Sequence, residues 1–209
     1  TVAALVDPQN VPRVKFLVTA GEAVTERVFK AWANNGLWQG YGPSETTNIC
    51  TVRPDVQKHH HINNIGPPLR NTSVFVIHPA DEISLVPRGG KGEFCFGGAQ
   101  VGRGYLDSTQ AVGKFIEHAK YGRLYRSGDY GRLLPDGSLS FSGRKDGQVK
   151  LRGQRIELGE INNLLLQSSH VRDCVTLVVE GESRTDQRLV SFWTPQQSTT
   201  SEFARLKLD

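Results

Sequence analysis

Residues 14–41 carry two apolar, strand-like runs with a helical pattern between them, and this unit limits what the chain can fold into. The first run, VKFLVT over residues 14–19, reads as a buried strand. GEAVTERVFKAWANNG, residues 21–36, then sets Val24, Val28, Phe29 and Trp32 on one helical face and ends on Asn-Gly. GLWQGYG, residues 36–42, is a second short strand. Strand–helix–strand units build open α/β sheets, which gather their ligands just beyond the ends of the strands. The residues just past the second strand therefore matter most.

They are YGPSETT, Tyr41 to Thr47. Gly42-Pro43 excludes regular helix and makes a tight turn. Ser44, Glu45, Thr46 and Thr47 then offer a dense row of oxygens. Two readings fit. Ser44 can cap a short helix, with Glu45 favourably in its first turn. Alternatively, Tyr41 stacks on a planar ligand while the oxygens hold a phosphate or its metal.

From about residue 62 the texture changes. SVFVIH (73–78), GEFCFGG (92–98), LYRSGDYGRLL (124–134) and SLSFSGR (138–144) are short β-rich runs, and LLPDGSLSF is a hairpin signal. This predicts a small twisted β-subdomain. Past GRKDGQ a third texture begins. QVKLRG (148–153) reads as a strand, ELGEINNLLLQSS (157–169) as a helix with an apolar stripe, and VRDCVTLVVEG (171–181) and QRLVSFWTP (187–195) as strands. That is a separate α+β unit, with its boundary near Asp146-Gly147.

Composition closes off several classes. With 37% hydrophobic and 22% charged residues the chain is globular, and no apolar run nears the ~20 residues a membrane span needs. The start has no signal-peptide pattern, and the lack of any methionine points to a piece of a longer protein. Cys50, Cys95 and Cys174 are widely spaced, which argues against disulfides or a zinc site and for a reducing, cytoplasmic setting. His59–His61 sit in a polar stretch and read as an exposed loop; the glycosylation-like NTS at Asn71 carries no weight without a secretion signal. Net charge is +4, with one basic concentration at Arg144, Lys145, Lys150, Arg152 and Arg155. Without interleaved aromatics it favours a phosphate-bearing ligand or carrier over nucleic acid.

Each glycine-rich piece is weak alone, but their order is specific. VTAGEAVT, YGPSETT, GEFCFGG, YRSGDYGR and GRKDGQVKLRGQRIELGEI together resemble successive core motifs of the adenylate-forming enzymes, specifically the amino-acid adenylation domains of non-ribosomal peptide synthetases. The resemblance covers about residues 14–195, and its texture is most similar to the fungal siderophore-building synthetases. It implies a fold in two parts. Residues 1–145 are the C-terminal part of a large adenylation subdomain, α/β to about residue 61 and then β. Residues 146–209 are a small, incomplete α+β C-terminal subdomain.

The resemblance also implies a reaction. ATP and an amino acid give an aminoacyl adenylate, and the acyl group then passes to the phosphopantetheine thiol of a peptidyl carrier domain. By the family's motifs, Gly21, Glu22, Gln39, Gly40, Tyr41, Asp129, Phe141 and Arg144 bind the nucleotide. Gln39 and the Gly40 backbone meet the adenine edge; the family usually has Asn at the first position, with the same carboxamide chemistry. Tyr41 and Phe141 stack on opposite faces of the adenine. Asp129 accepts both ribose hydroxyls, and Arg144 reaches ribose and phosphate. Ser44 binds the α-phosphate and Glu45 ligates Mg²⁺. Asp146 is the hinge between the two subdomains, and Arg152 and Gly153 line the pantetheine path.

By the same resemblance Val18, Ala20, Gly40, Asn48 and Ile49 line the amino-acid pocket. A small-residue floor and one carboxamide suit a long substrate with a hydrogen-bonding group, such as an N-hydroxylated, acylated ornithine. The family's pyrophosphate loop and catalytic lysine have no match here, so the expectation is that this stretch alone does not run the first step. An acyl- or aryl-CoA ligase, and a non-catalytic docking module, are the alternatives. Neither a nucleic-acid nor a membrane partner is expected.

Overall fold

The strand–helix–strand unit folds as β1 (Leu17–Thr19), α1 (Glu26–Trp32) and β2 (Leu37–Tyr41) in the computed structural model of the protein, which describes residues 2–78, 84–107, 112–144, 147–151, 154–179 and 187–196. β1 and β2 are parallel, with Leu17 opposite Leu37 and Thr19 opposite Gln39. β3 (Thr51–Arg53) joins β2 antiparallel. The chain divides into two compact units, Thr1–Lys145 and Asp146–Asp209.

Helix α1 begins at Thr25, whose extended backbone lets its hydroxyl accept the Val28 amide at 3.4 Å. Glu26 comes next, where negative charge suits the helix dipole. The apolar stripe turns inward: Val24, Val28, Trp32 and Ala33 pack with Leu37 and Val56, and Phe29 lies half-buried against them. Thr25→Ala is expected to cost about 1 kcal/mol by removing the cap. Urea unfolding checks this; an unchanged midpoint would assign the helix start to packing alone.

β1 is shorter and barer than its apolar run suggests. Val14, Phe16 and Val18 are 46%, 60% and 48% exposed. β1 is the edge of a three-stranded sheet, so Leu17 faces the α1 core while Phe16 and Val18 lie on the other face. There the Phe16 ring rests 5.9 Å from Trp38.

The β-rich middle forms one antiparallel sheet. Its strands are β4 (Asn64–Gly66), β5 (Ser73–Ile77), β6 (Lys91–Gly97), β7 (Phe115–His118), β8 (Gly122–Leu133) and β9 (Leu139–Arg144). They order as β4-β9-β8-β6-β5, with β7 also pairing β8. The Pro-Asp-Gly turn joins β8 to β9 with Leu133 opposite Leu139. Ser138 donates to Asp136 from its hydroxyl at 2.6 Å and its amide at 3.0 Å, which holds that carboxyl below its usual range. Cys50, Ile65, Val76, Phe94, Phe96 and Leu139 make the sheet's core, flanked by Tyr41 and Phe141. The Thr51 hydroxyl, donating to the Ile65 carbonyl at 2.7 Å, ties this sheet to the first.

In the second unit β10 (Gln148–Leu151) and β11 (Gln154–Glu157) form a hairpin, and β12 (Val171–Val179) and β13 (Arg188–Pro195) another. Between them lies α2 (Leu158–Leu166), anchored to β12 where the Cys174 thiol donates to the Asn162 carbonyl at 3.3 Å. The expected apolar stripe buries no residue fully: Leu164 and Leu166 remain exposed. Among the described residues no helix is long and apolar enough to cross a membrane.

Candidate functional site

β2 sends alternate residues to opposite faces. Gln39 and Tyr41 share one, and Gly40 takes the other. On the Tyr41 face the chain gathers residues from three strands. Tyr41 donates its hydroxyl to Asp129 Oδ2, a residue 88 positions away on β8. Arg144 Nη1 on β9 reaches Asp129 Oδ1 at 2.8 Å, and the two residues are direct cross-strand partners. Register shifts in β8's pairing fall close to Asp129 on both sides, between Glu93/Cys95 and between Tyr130/Gly131. Such irregularities re-aim side chains that a regular ladder would turn elsewhere.

Asp129 is itself pinned. Its amide donates to Ser127 Oγ at 3.0 Å, and that hydroxyl donates to the Phe94 carbonyl at 2.8 Å. Burial, then the Asp129 charge and hydrogen bond, push the Tyr41 phenol well above its usual range, so it stays a protonated donor. A carboxylate offers about four acceptor sites, so Asp129 accepts from Tyr41 and Arg144 together. Phe141 lies beside Tyr41, centroids 6.2 Å apart and planes tilted 41°. A ring sandwiched between them needs about 7 Å and parallel faces. In this arrangement the two therefore touch each other.

Beyond β2 the YGPSETT segment turns tightly. A Cβ at Gly42 would meet the Asn48 carbonyl, Cys50 N at 2.6 Å and Ile49 Cα at 2.8 Å. Ser44–Thr46 form one 3-10 turn, and its cap is Pro43, not Ser44. The Pro43 carbonyl accepts the Thr46 hydroxyl at 2.9 Å, leaving the Ser44 side chain exposed inside the turn. Thr47 and Asn48 are left-handed, at φ 59° and 100°. Glu45 is half-buried, and its Oε1 accepts the Tyr105 hydroxyl at 2.6 Å. Carboxylate and hydroxyl oxygens of this kind suit a hard divalent cation. The chemistry of the set thus fits a nucleotide with magnesium.

On the Gly40 face, a Cβ at Gly40 would sit 3.3 Å from Ile49 Cδ1 and 3.5 Å from Ala20 Cβ, so three of the expected pocket residues converge. Val18 lies on the neighbouring strand, exposed. Asn48 is exposed as well, with a positive φ of 100°. Gly21 is exposed at φ 84°, with Glu22 half-buried after it. Gln39 is buried. Asp146, Arg152 and Gly153 lie outside the described residues.

Two contacts of the site have no counterpart in the sequence reading. Gln100 donates to the Cys50 thiol at 3.2 Å, and Tyr105 holds Glu45. Both belong to AQVGRGYL (99–106), whose glycines signal only a loop. His59 and His61 are exposed as expected, while His60 is drawn inward against Arg53 at 2.8 Å. No group of three or more potential metal-binding His, Cys, Asp or Glu occurs among the described residues.

The sequence profile of the family described as AMP-binding enzyme matches residues 2–106. Nonribosomal peptide synthetase sidC of Arthroderma benhamiae is 60% identical over 199 residues, 93% of this chain and 4% of that protein. The hydroxamate-type ferrichrome siderophore peptide synthetase of Schizosaccharomyces pombe is 37% identical over 197 residues, 92% of this chain and again 4% of the relative. Among solved structures, PA1221, an NRPS protein containing adenylation and PCP domains, superposes with a TM-score of 0.76 at 26% identity, over 92% of this chain and 40% of that one. The chain thus spans about one twenty-fifth of the length of each of these two curated relatives. It belongs to the AMP-binding enzyme family and is similar along nearly its whole length to segments of nonribosomal peptide synthetases.

Proposed function

We propose that this chain is part of an amino-acid adenylation domain and holds the adenosine, phosphate and side-chain ends of an aminoacyl adenylate. One observation carries the reading. Two residues distant in sequence, Tyr41 and Arg144, converge on the buried carboxylate of Asp129 beside an oxygen-rich turn. Asp129 would accept ribose hydroxyls, Arg144 would neutralise ribose and phosphate oxygens, and Tyr41 and Phe141 would separate to admit the adenine. Ser44 would hold the α-phosphate and Glu45 a magnesium ion. Bound there, magnesium would offset charge developing at the α-phosphate. Positioning the amino-acid carboxylate against that phosphate supplies the rest.

The acyl group would then move to the phosphopantetheine thiol of a carrier domain, with residues 146–209 swinging about Asp146 and Arg152 and Gly153 beside the arm. PA1221, with its adenylation and PCP domains, supports that partner. For the substrate, Ala20 and Gly40 leave room beside Ile49, and Asn48 offers an accessible carboxamide. Together with the hydroxamate siderophore relative, this supports an N-hydroxylated, acylated ornithine. The buried free thiols of Cys50 and Cys95 support a cytoplasmic setting.

The test uses the full-length protein: amino-acid-dependent pyrophosphate exchange across proteinogenic amino acids and hydroxyornithine derivatives, with carrier loading measured in parallel. A hydroxyornithine preference is expected; selection of phenylalanine or a small apolar amino acid would discard the substrate and keep the adenylation reading. Loading that fails with the preferred substrate would discard the carrier step. Asp129→Ala should weaken binding of a non-hydrolysable adenylate about 10–100-fold. Undiminished affinity would leave a docking module in its place.

A further inference from the structure

The loop after β6 is tied to the turn after β2 at several points. The Gly102 amide donates to the Glu45 carbonyl at 2.7 Å, the Thr47 hydroxyl to the Gln100 carbonyl at 2.8 Å, and the Tyr105 hydroxyl to Glu45 Oε1 at 2.6 Å. Gly102 has no spare room: a Cβ there would lie 2.9 Å from the Glu45 carbonyl oxygen. The loop is braced from behind. Arg123 on β8 donates to the Arg103 carbonyl at 2.7 Å and the Gly102 carbonyl at 3.3 Å, and its guanidinium lies 5.1 Å from the Phe115 ring centroid. Phe115 in turn meets the Tyr105 ring edge-on, 5.5 Å between centroids.

From this geometry we infer that Tyr105 is a positioning residue, setting the orientation of the Glu45 carboxylate for a divalent cation. The inference rests on Glu45 being a magnesium ligand. A hydroxyl donor on one carboxylate oxygen favours the ionised form and fixes the rotation of the group. It leaves a defined direction for the cation. Without it the carboxylate loses that restraint on rotation about its last bond, and the cation must supply more of the ordering. Losing such an outer partner of a metal ligand raises the metal dissociation constant about 10–100-fold.

The experiment measures Mn²⁺ binding to the full-length protein by the electron paramagnetic resonance signal of free Mn²⁺, with α,β-methylene-ATP present. Tyr105→Phe, Glu45→Gln and the double variant are compared, and nucleotide affinity is measured separately without metal. Tyr105→Phe should raise the Mn²⁺ dissociation constant about 10-fold with metal-free nucleotide affinity unchanged. The double variant should be no worse than Glu45→Gln alone, since the hydroxyl acts only through that carboxylate. Tyr105→Phe binding like the wild type while Glu45→Gln is weakened would overturn the inference and spare Glu45 as a ligand. Glu45→Gln binding normally would remove the ligand assignment itself, and the inference with it. If Tyr105→Phe loses the folded circular dichroism spectrum, or weakens metal-free nucleotide binding equally, the hydroxyl is structural and the inference falls.

Discussion

Glu93→Ala is expected to destabilise the Thr1–Lys145 unit by about 3–5 kcal/mol, the cost of breaking a buried ion pair from one side. Glu93 and Arg126 side chains are 5% and 14% exposed, with Arg126 Nη2 and Nε on Glu93 Oε2 at 2.7 and 3.2 Å. The other oxygen, Oε1, accepts the Gly128 amide at 3.0 Å. Alanine therefore takes the carboxylate from a largely buried guanidinium and strips an amide of its acceptor. Glu93→Gln keeps an acceptor and loses only charge, so it should cost less. Because Gly128 precedes Asp129, adenylate affinity should fall with stability in the alanine variant. Urea unfolding with matched nucleotide titrations checks both; a loss under about 1 kcal/mol would show that the pair barely offsets its own desolvation.

Gly42→Ala should reduce amino-acid-dependent pyrophosphate exchange in the full-length protein about 100-fold, the scale expected when a reacting group is misplaced by an ångström. All three neighbours of the added methyl are backbone atoms, of Asn48, Ile49 and Cys50, and cannot rotate aside. Relief requires residues 48–50 to shift, or the turn that leads from Gly42 to Ser44 and Glu45 to shift away from them. Gly40→Ala is the internal contrast, since its methyl would meet only the side chains of Ile49 and Ala20 at 3.3 Å or more. It should cost far less exchange than Gly42→Ala and shift the preference among amino acids. Equal activity of Gly42→Ala and the wild type would mean the turn does not set the phosphate position.

Where hydrophobic period and turn chemistry agree, the sequence reads well. Helix α1 comes from Val24, Val28 and Trp32 and its Thr25 cap, and the β8–β9 hairpin from Pro-Asp-Gly. β3, β4 and β7 are three or four residues long, and their pairing is decided by partners far along the chain, so no local pattern announces them. β11 hides in QRIE because it has only four residues. Within the site, Tyr41 and Asp129 are legible through their motif surroundings, but not their hydrogen bond, which spans 88 positions. Tyr105 is invisible for the same reason. Ser44 resembles a helix cap because it begins a polar run; the preceding proline, extended at φ −75° and ψ 153°, takes the cap position first.

The pairing of β4 with β9 sets a waiting time. Asn64 meets Ser140, so an edge strand made early must stay without its partner until 76 more residues have been added. At roughly 5–20 residues per second on a ribosome that is about 4–15 s. Throughout it Ile65, a member of the sheet's core, has no Leu139 to pack on. β8 cannot shorten the delay, because β9 stands between it and β4 in the sheet order. The last partners to become available are therefore those on β9, which also carries Arg144 and Phe141, so the Tyr41–Asp129–Arg144 cluster can be completed only when the newest strand arrives.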